Sequence, residues 1–281
     1  MYLIKVALGR AVVLATLCIT AGNAARRMPP SVCGRVWKVN SVVTDLKARI
    51  MKWETKTTDE MPARGVDTYS VYGPMTSGKS AVLMRLMQAG IPCVTATYYY
   101  VGDSISTRDP EAHTQRILAD VVVGGRKPWA MQFQDILRER ALDARAAGRR
   151  VITVLPDEFQ FPTTGEANTF MRIAQRVATR YGIRVAVVFF HLDLDSDGRL
   201  FSGTEAIRSF LLLQSYRLKA KCPCGKPAPF TGRYGRLSGK RLFDQDQVVV
   251  DGTPDIIYDP TCEEHWDEDL PPEVLEALSR G

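Results

Sequence analysis

The chain is poor in cysteine, with six in 281 residues, and has no acidic residue before Asp45. It also lacks any apolar run approaching the roughly 20 residues that a membrane-spanning helix requires. Cys18, Cys33, Cys93, Cys222, Cys224 and Cys262 are too few and too unevenly placed for a disulfide framework. A reduced interior follows. A basic stripe is missing as well. The first sixty residues hold 10 Lys/Arg against 4 Asp/Glu and the remainder 27 against 27, so the whole net charge of +6 sits at the N-terminus. The balanced body offers no electrostatic footprint for a polynucleotide partner. Internal repeats and low-complexity segments are absent too.

The basic segment "VALGRAVVLATLCITAGNAARR" supports three readings. Lys5 followed by the apolar run Ala11 to Ala21 and the small residues Gly22 to Ala25 fits a secretory signal that Arg10 interrupts. The arginines without acids fit a mitochondrial presequence, and an uninformative extension is the third reading. Residues 1–65 are expected to be such an extension, targeting or loosely ordered. The reduced interior that the cysteine usage implies favours the cytoplasm.

What is present begins at Thr68. Thr68 to Tyr72 reads as a short strand and Ser80 to Gln88 as a helix ended by Gly90. Between them stand Gly73, Pro74, Met75, Thr76, Ser77, Gly78, Lys79 and Ser80, the G-x-x-x-x-G-K-S pattern. A Gly-rich turn at a helix N-terminus can wrap backbone N–H groups around phosphate oxygens; Lys79 would reach the β- and γ-phosphates and Ser80 would ligate magnesium. The strand Val151 to Leu155 is a continuous β-branched and aliphatic run that delivers Asp157 and Glu158 at its C-terminal end, where ligands of open α/β sheets bind. Asp157 would hold magnesium, and Glu158 is free to take a proton from an attacking hydroxyl or from water. A solvated Asp-Glu pair capping the next helix is the structural alternative.

Further strands at Ile91 to Tyr100 and Ile183 to Leu192, and helices at Trp129 to Gly148 and Glu166 to Tyr181, alternate as in a parallel sheet with helices on both faces. Past Leu192 the alternation stops. Cys222 and Cys224, a C-x-C, are then answered by Cys262 and His265, a C-x-x-H. Three thiolates and an imidazole form a closed tetrahedral set suited to structural zinc, in a segment too small and polar to hold a core unaided. Four ligands leave no open position for catalysis.

A loop G-P-M-x-S-G-K-S, then D-E-x-Q-F, then a cysteine and histidine clasp resembles the cellular and bacterial thymidine kinases, the zinc-containing type II family, from about Tyr69 to Trp266. The resemblance implies an α/β fold with a P-loop, RecA-like parallel sheet and a small C-terminal zinc-binding lasso. Its expected parts are a kinase domain at 66–218, a zinc-binding substrate lid at 219–270 and a tail at 271–281. It implies transfer of the ATP γ-phosphate to the 5′-hydroxyl of thymidine, with deoxyuridine as a second acceptor, using ATP with magnesium and structural zinc in a homotetramer. Nucleic acid and membrane are not expected partners.

By the same resemblance Glu158 is the base, Asp157 the magnesium acid and Gln160 an ATP contact. Phe161, Phe201 and Tyr258 hold the nucleoside, and Arg108 lies near the phosphates. The stretch His191 to Gly203 departs from the family pattern, with Asp193 in place of an arginine and Ser196 in place of an aromatic. A P-loop ATPase that uses a zinc module to bind nucleic acid is the alternative function.

Overall fold

The computed structural model describes residues 30–55, 65–106, 116–125, 128–243 and 255–279. Two compact units divide at Ser41/Val42. Of the first, only the opening of helix α1 (Pro30–Met51) is described. The second holds everything below. The basic segment before residue 30, Arg108 and residues 244–254 lie outside the described residues.

Six strands form one parallel sheet in the order β5-β2-β6-β7-β1-β8. They are β1 (Val66–Tyr72), β2 (Cys93–Tyr98), β5 (Val121–Val123), β6 (Val151–Pro156), β7 (Arg184–His191) and β8 (Leu212–Arg217). A small antiparallel pair, β3 (Ser104–Ile105) and β4 (Ile117–Leu118), stands apart. All residues of β6 and β7 are buried. That is why "VITVLP" and "RVAVVFFH" are almost wholly apolar: a central parallel strand is covered on both faces.

Alternation along β7 assigns the faces. Val185, Val187 and Phe189 belong to the core shared with α3 (Trp129–Ala146), α4 (Thr164–Tyr181) and α5 (Ser202–Ser209). Within it Phe133 stacks on Phe170 with centroids 4.2 Å apart, and Phe159 packs 5.0 Å from both Phe170 and Phe189. Each such ring contributes roughly 2–3 kcal/mol by leaving water. Arg184, of the opposite parity, is buried on the other face, paired with Asp67 and lying 4.2 Å over the Trp53 ring. Helix α4 opens on a capping box, in which the Thr163 hydroxyl accepts from the Glu166 amide, and closes on Gly182 in the left-handed conformation.

Two expectations need correction. Alternation does not stop near Leu192: α5 and β8 follow, and β8 adds a sixth strand beside β1. Its burial alternates half-buried and exposed, the mark of an edge, so "LLQSYR" lacks the apolar run that announces a central strand. Nor are residues 42–55 loose, while residues 56–64 lie outside the described residues. Leu46, Ile50 and Trp53 are buried, the Tyr216 hydroxyl donates to Asp45 at 2.6 Å, and Arg149 pairs with Glu54 at 2.8 Å. Residues 42–55 thus pack within the second unit, to which they belong.

Beyond β8 the chain forms a short hairpin, β9 (Ala220–Lys221) with β10 (Pro227–Ala228), and a longer one, β11 (Phe230–Gly235) with β12 (Ile256–Thr261). A 3-10 turn (Glu263–His265) and helix α6 (Pro272–Ser279) follow. Among the described residues no helix is long and apolar enough to cross a membrane.

Candidate active site

Strands β6, β7 and β1 are neighbours, and the groups that the sequence singles out leave their C-terminal ends. From β1 comes the phosphate loop, running into α2 (Lys79–Met87). Its path needs residues at positive φ: Gly73 at 154°, Thr76 at 57° and Gly78 at 93°. A Cβ on Gly73 would lie 2.5 Å from the Leu218 carbonyl oxygen, so only glycine lets the loop pass under the end of β8. The result is a concave run of backbone at a helix N-terminus, suited to an anion. Lys79 is buried, and its ammonium donates to the carbonyls of Gly73 (3.0 Å) and Pro74 (2.8 Å). Burial pulls its pKa down, while the carboxylates of Glu158 and Asp157 oppose that pull. One loop amide, Met75 N–H, donates to the Thr231 hydroxyl on β11 at 3.0 Å. The phosphate loop therefore touches the second hairpin.

From β6 comes the acidic pair. The Asp157 amide donates to the Ala96 carbonyl of β2 at 2.8 Å, which carries the carboxyl into the interior. Burial, then the neighbouring charge of Glu158, raises the Asp157 pKa to about 7, with Lys79 acting the other way. Such a carboxyl gains by taking up a cation. Glu158 follows at φ 52°, a left-handed backbone that costs a non-glycine residue roughly 1–2 kcal/mol. Its carboxylate accepts from the Gln160 amide, and Gln160 is fully buried. Phe161 is half-buried, stacked 6.2 Å from Tyr98 and edge-on to Phe201 at 5.7 Å. Phe201 is the N-cap of α5. Two of the three expected nucleoside aromatics are therefore in contact. Tyr258 sits on β12 opposite Arg233, on the hairpin that Thr231 ties to the phosphate loop.

Sequence reasoning missed three residues around this centre. His191, at the end of β7, is buried between Ser70, whose hydroxyl lies 2.8 Å from Nε2, and the Leu192 carbonyl, which accepts from Nδ1 at 2.8 Å. Burial lowers its pKa to about 4. Thr204 donates to the same carbonyl at 2.8 Å. Arg241 gives its guanidinium to the carbonyls of Ser196 (2.6 Å), Trp266 (3.0 Å) and Arg233 (3.1 Å), binding the turn after β7 to the second hairpin. None has a local signature. Each works through partners far away in the chain.

The ligand atoms of Cys222, Cys224, Cys262 and His265 all lie within 4.8 Å of one another. Cys224 Sγ stands 3.7 Å from Cys262 Sγ, and His265 Nδ1 stands 3.3 Å from Cys262 Sγ and 3.5 Å from Cys222 Sγ. A tetrahedral ion with bonds of about 2.3 Å to sulfur and 2.0–2.1 Å to nitrogen requires edges of about 3.8 and 3.6 Å. The residues fit zinc in both chemistry and size. Gly225, at φ 87°, gives the turn that brings the Lys226 carbonyl back to the Cys222 amide at 3.0 Å.

A parallel sheet with a phosphate loop after its first strand, and an acid pair two strands away, defines a P-loop α/β protein. The protein-family model described as thymidine kinase matches residues 67–266, a span from β1 to just past the last clasp residue. The chain belongs to the thymidine kinase family. No curated protein matches it. Among solved structures 72 chains match. One, a structure of C. elegans PCH-2, is 14% identical over 64% of this chain and 42% of that chain, with a TM-score of 0.35, too low to carry an argument. This chain thus spans less than half of the PCH-2 chain.

Proposed function

We propose that the protein transfers the γ-phosphate of ATP to the 5′-hydroxyl of thymidine, giving dTMP and ADP. The observation that carries this reading is the thymidine kinase match over a span that holds both the phosphate loop after β1 and an acidic pair after β6, two strands away in the same sheet. Phosphoryl transfer needs alignment and charge neutralisation more than covalent help. In this reading the backbone of residues 73–80 cradles the phosphates and Lys79 leaves its loop carbonyls to meet them. The oxygens of Ser80 and Asp157 suit magnesium, which supplies neutralisation of the phosphate charge when bound. Glu158 takes the proton from the attacking 5′-hydroxyl. Phe161, Phe201 and Tyr258 hold the thymine ring, and the hairpin with its zinc clasp excludes water.

The same reading carries deoxyuridine as a second acceptor, a homotetramer, a cytoplasmic setting and no polynucleotide partner. The balanced charge of residues 61–281 supports the last of these. The test is purified protein with ATP, magnesium and each of the four deoxynucleosides plus deoxyuridine, scored for monophosphate. Thymidine is expected to be phosphorylated, and Glu158→Gln to lower turnover at least about a hundredfold with ATP binding nearly intact. ATP hydrolysis stimulated by single-stranded DNA, without any nucleoside monophosphate, would refute the proposal.

A further inference from the structure

We infer that Gln160 is a positioning residue for Glu158, its side-chain amide fixing the carboxylate that receives the proton; the inference rests on the base assignment just made. Gln160 has no exposed surface. Its Oε1 accepts from the Leu192 backbone N–H at 3.1 Å. A backbone N–H can only donate, so this bond fixes which end of the amide is oxygen and which is NH2. The NH2 end must then face Glu158, where Nε2 donates to Oε2.

Leu192 is itself clamped on its other side. Its carbonyl accepts from His191 Nδ1 and Thr204 Oγ1, each at 2.8 Å, and His191 Nε2 meets the Ser70 hydroxyl of β1. The Gln160 carbonyl accepts from the Gly203 amide at 3.1 Å, and a Cβ on Gly203 would collide with the carbonyls of Phe159 and Gln160. The base stands on a left-handed residue just after a strand and would have several rotamers in a shallow loop. The chain from Ser70 through His191, Leu192 and Gln160 holds one of them. It also explains why a fully buried glutamine follows two residues after Glu158: its amide bonds the carboxylate and Leu192, and none of its surface is exposed to ATP.

The test is a double-mutant cycle on the full-length protein with saturating ATP, magnesium and thymidine. Gln160→Leu removes the donor. Gln160→Glu keeps the volume and the acceptor for Leu192 N–H, so it stands in if the leucine variant fails to fold. Each is expected to lower kcat roughly tenfold to a hundredfold, as befits one hydrogen bond to a charged group, with KM for ATP and thymidine within about twofold of wild type. Placed on Glu158→Gln, neither should lower turnover further, because a positioning residue has nothing left to position. An additional loss in that background, or a loss that appears in KM for ATP, overturns the inference and makes Gln160 a scaffold or an ATP contact. Near-normal turnover by Glu158→Gln alone would overturn the base assignment instead, so the two failures are distinguishable.

Discussion

Removing one ligand of the clasp, by Cys262→Ser, should unfold the small hairpin while leaving the six-stranded sheet intact. The hairpin, residues 220–228, has almost no core of its own. The buried apolar cluster around the clasp is Ala220, Cys222, Ala228 and Cys262. Ordering nine residues costs about 13 kcal/mol at about 1.5 kcal/mol each. Four small side chains return about 3 kcal/mol at roughly 0.8 kcal/mol per buried carbon-sized group. The shortfall of about 10 kcal/mol lies at the lower end of the roughly 10–16 kcal/mol that structural zinc supplies. The core around Phe133, Phe159 and Phe170 shares no residue with that cluster. Wild-type protein should therefore release about one zinc per chain when its thiols are blocked, read with a colorimetric chelator, and Cys262→Ser far less. Limited proteolysis should cut the variant first between 219 and 243, with the main thermal transition within a few degrees of wild type. A wild type that carries no zinc after growth and purification with zinc present would refute the reasoning. So would a variant that stays as protease-resistant as its parent.

Two further outcomes follow from the site. His191 is held neutral, with a folded pKa of about 4 against an ordinary 6.5, so its contribution is fully present above pH 6.5 and is lost as pH falls toward 4. That contribution is on the order of 3 kcal/mol, and urea denaturation at pH 7 and pH 4.5 should show wild type losing more stability than His191→Gln; equal losses would count against it. Phe161→Ala removes the ring that joins Tyr98 to Phe201. It should raise KM for thymidine roughly tenfold while leaving ATP affinity by calorimetry unchanged, and a change confined to ATP would put Phe161 elsewhere in the mechanism.

The parts of this molecule that were legible in the sequence are those with a local cause. A central parallel strand must be apolar throughout, so β6 and β7 stand out as runs. A phosphate loop needs glycine at fixed places, and Gly73 and Gly78 occupy them at positive φ. The clasp was legible because its ligands are scarce: with six cysteines and three histidines in the chain, a C-x-C answered by a C-x-x-H has few competitors. What was hidden depends on contact between distant segments. Strand β8 earns its place by pairing with β1, not by its own pattern. Helix α1 and Trp53 read as part of a basic extension, yet Trp53 lies under Arg184 because Asp67 holds that guanidinium inside. Gln160 meets Leu192 across 32 positions of sequence, and Arg241 meets Ser196 across 45.

The departures after β7 show how such hidden contacts change the meaning of a substitution. In the sequence, Asp193 and Ser196 stand where the resemblance has an arginine and an aromatic, a departure that bears on the detail of the nucleoside pocket. In the structure Asp193 accepts from Arg208 at 2.5 Å, so an arginine on α5 meets the reversed charge. Asp195, which the family pattern shares, accepts from the amides of Asp197 (2.9 Å) and Arg199 (2.7 Å) and closes the turn. Ser196 contributes through its backbone: its carbonyl accepts from Arg241, whose guanidinium also lies 4.9 Å from Trp266 and 4.5 Å from Phe243. Aromatic surface is thus present next to the same turn, where a Cβ on Gly198 would stand 3.7 Å from the Trp266 ring. The turn keeps its shape through partners other than those of the family pattern, and residue 196 is tied to the hairpin that carries Tyr258 through the bond from Arg241 to the Arg233 carbonyl.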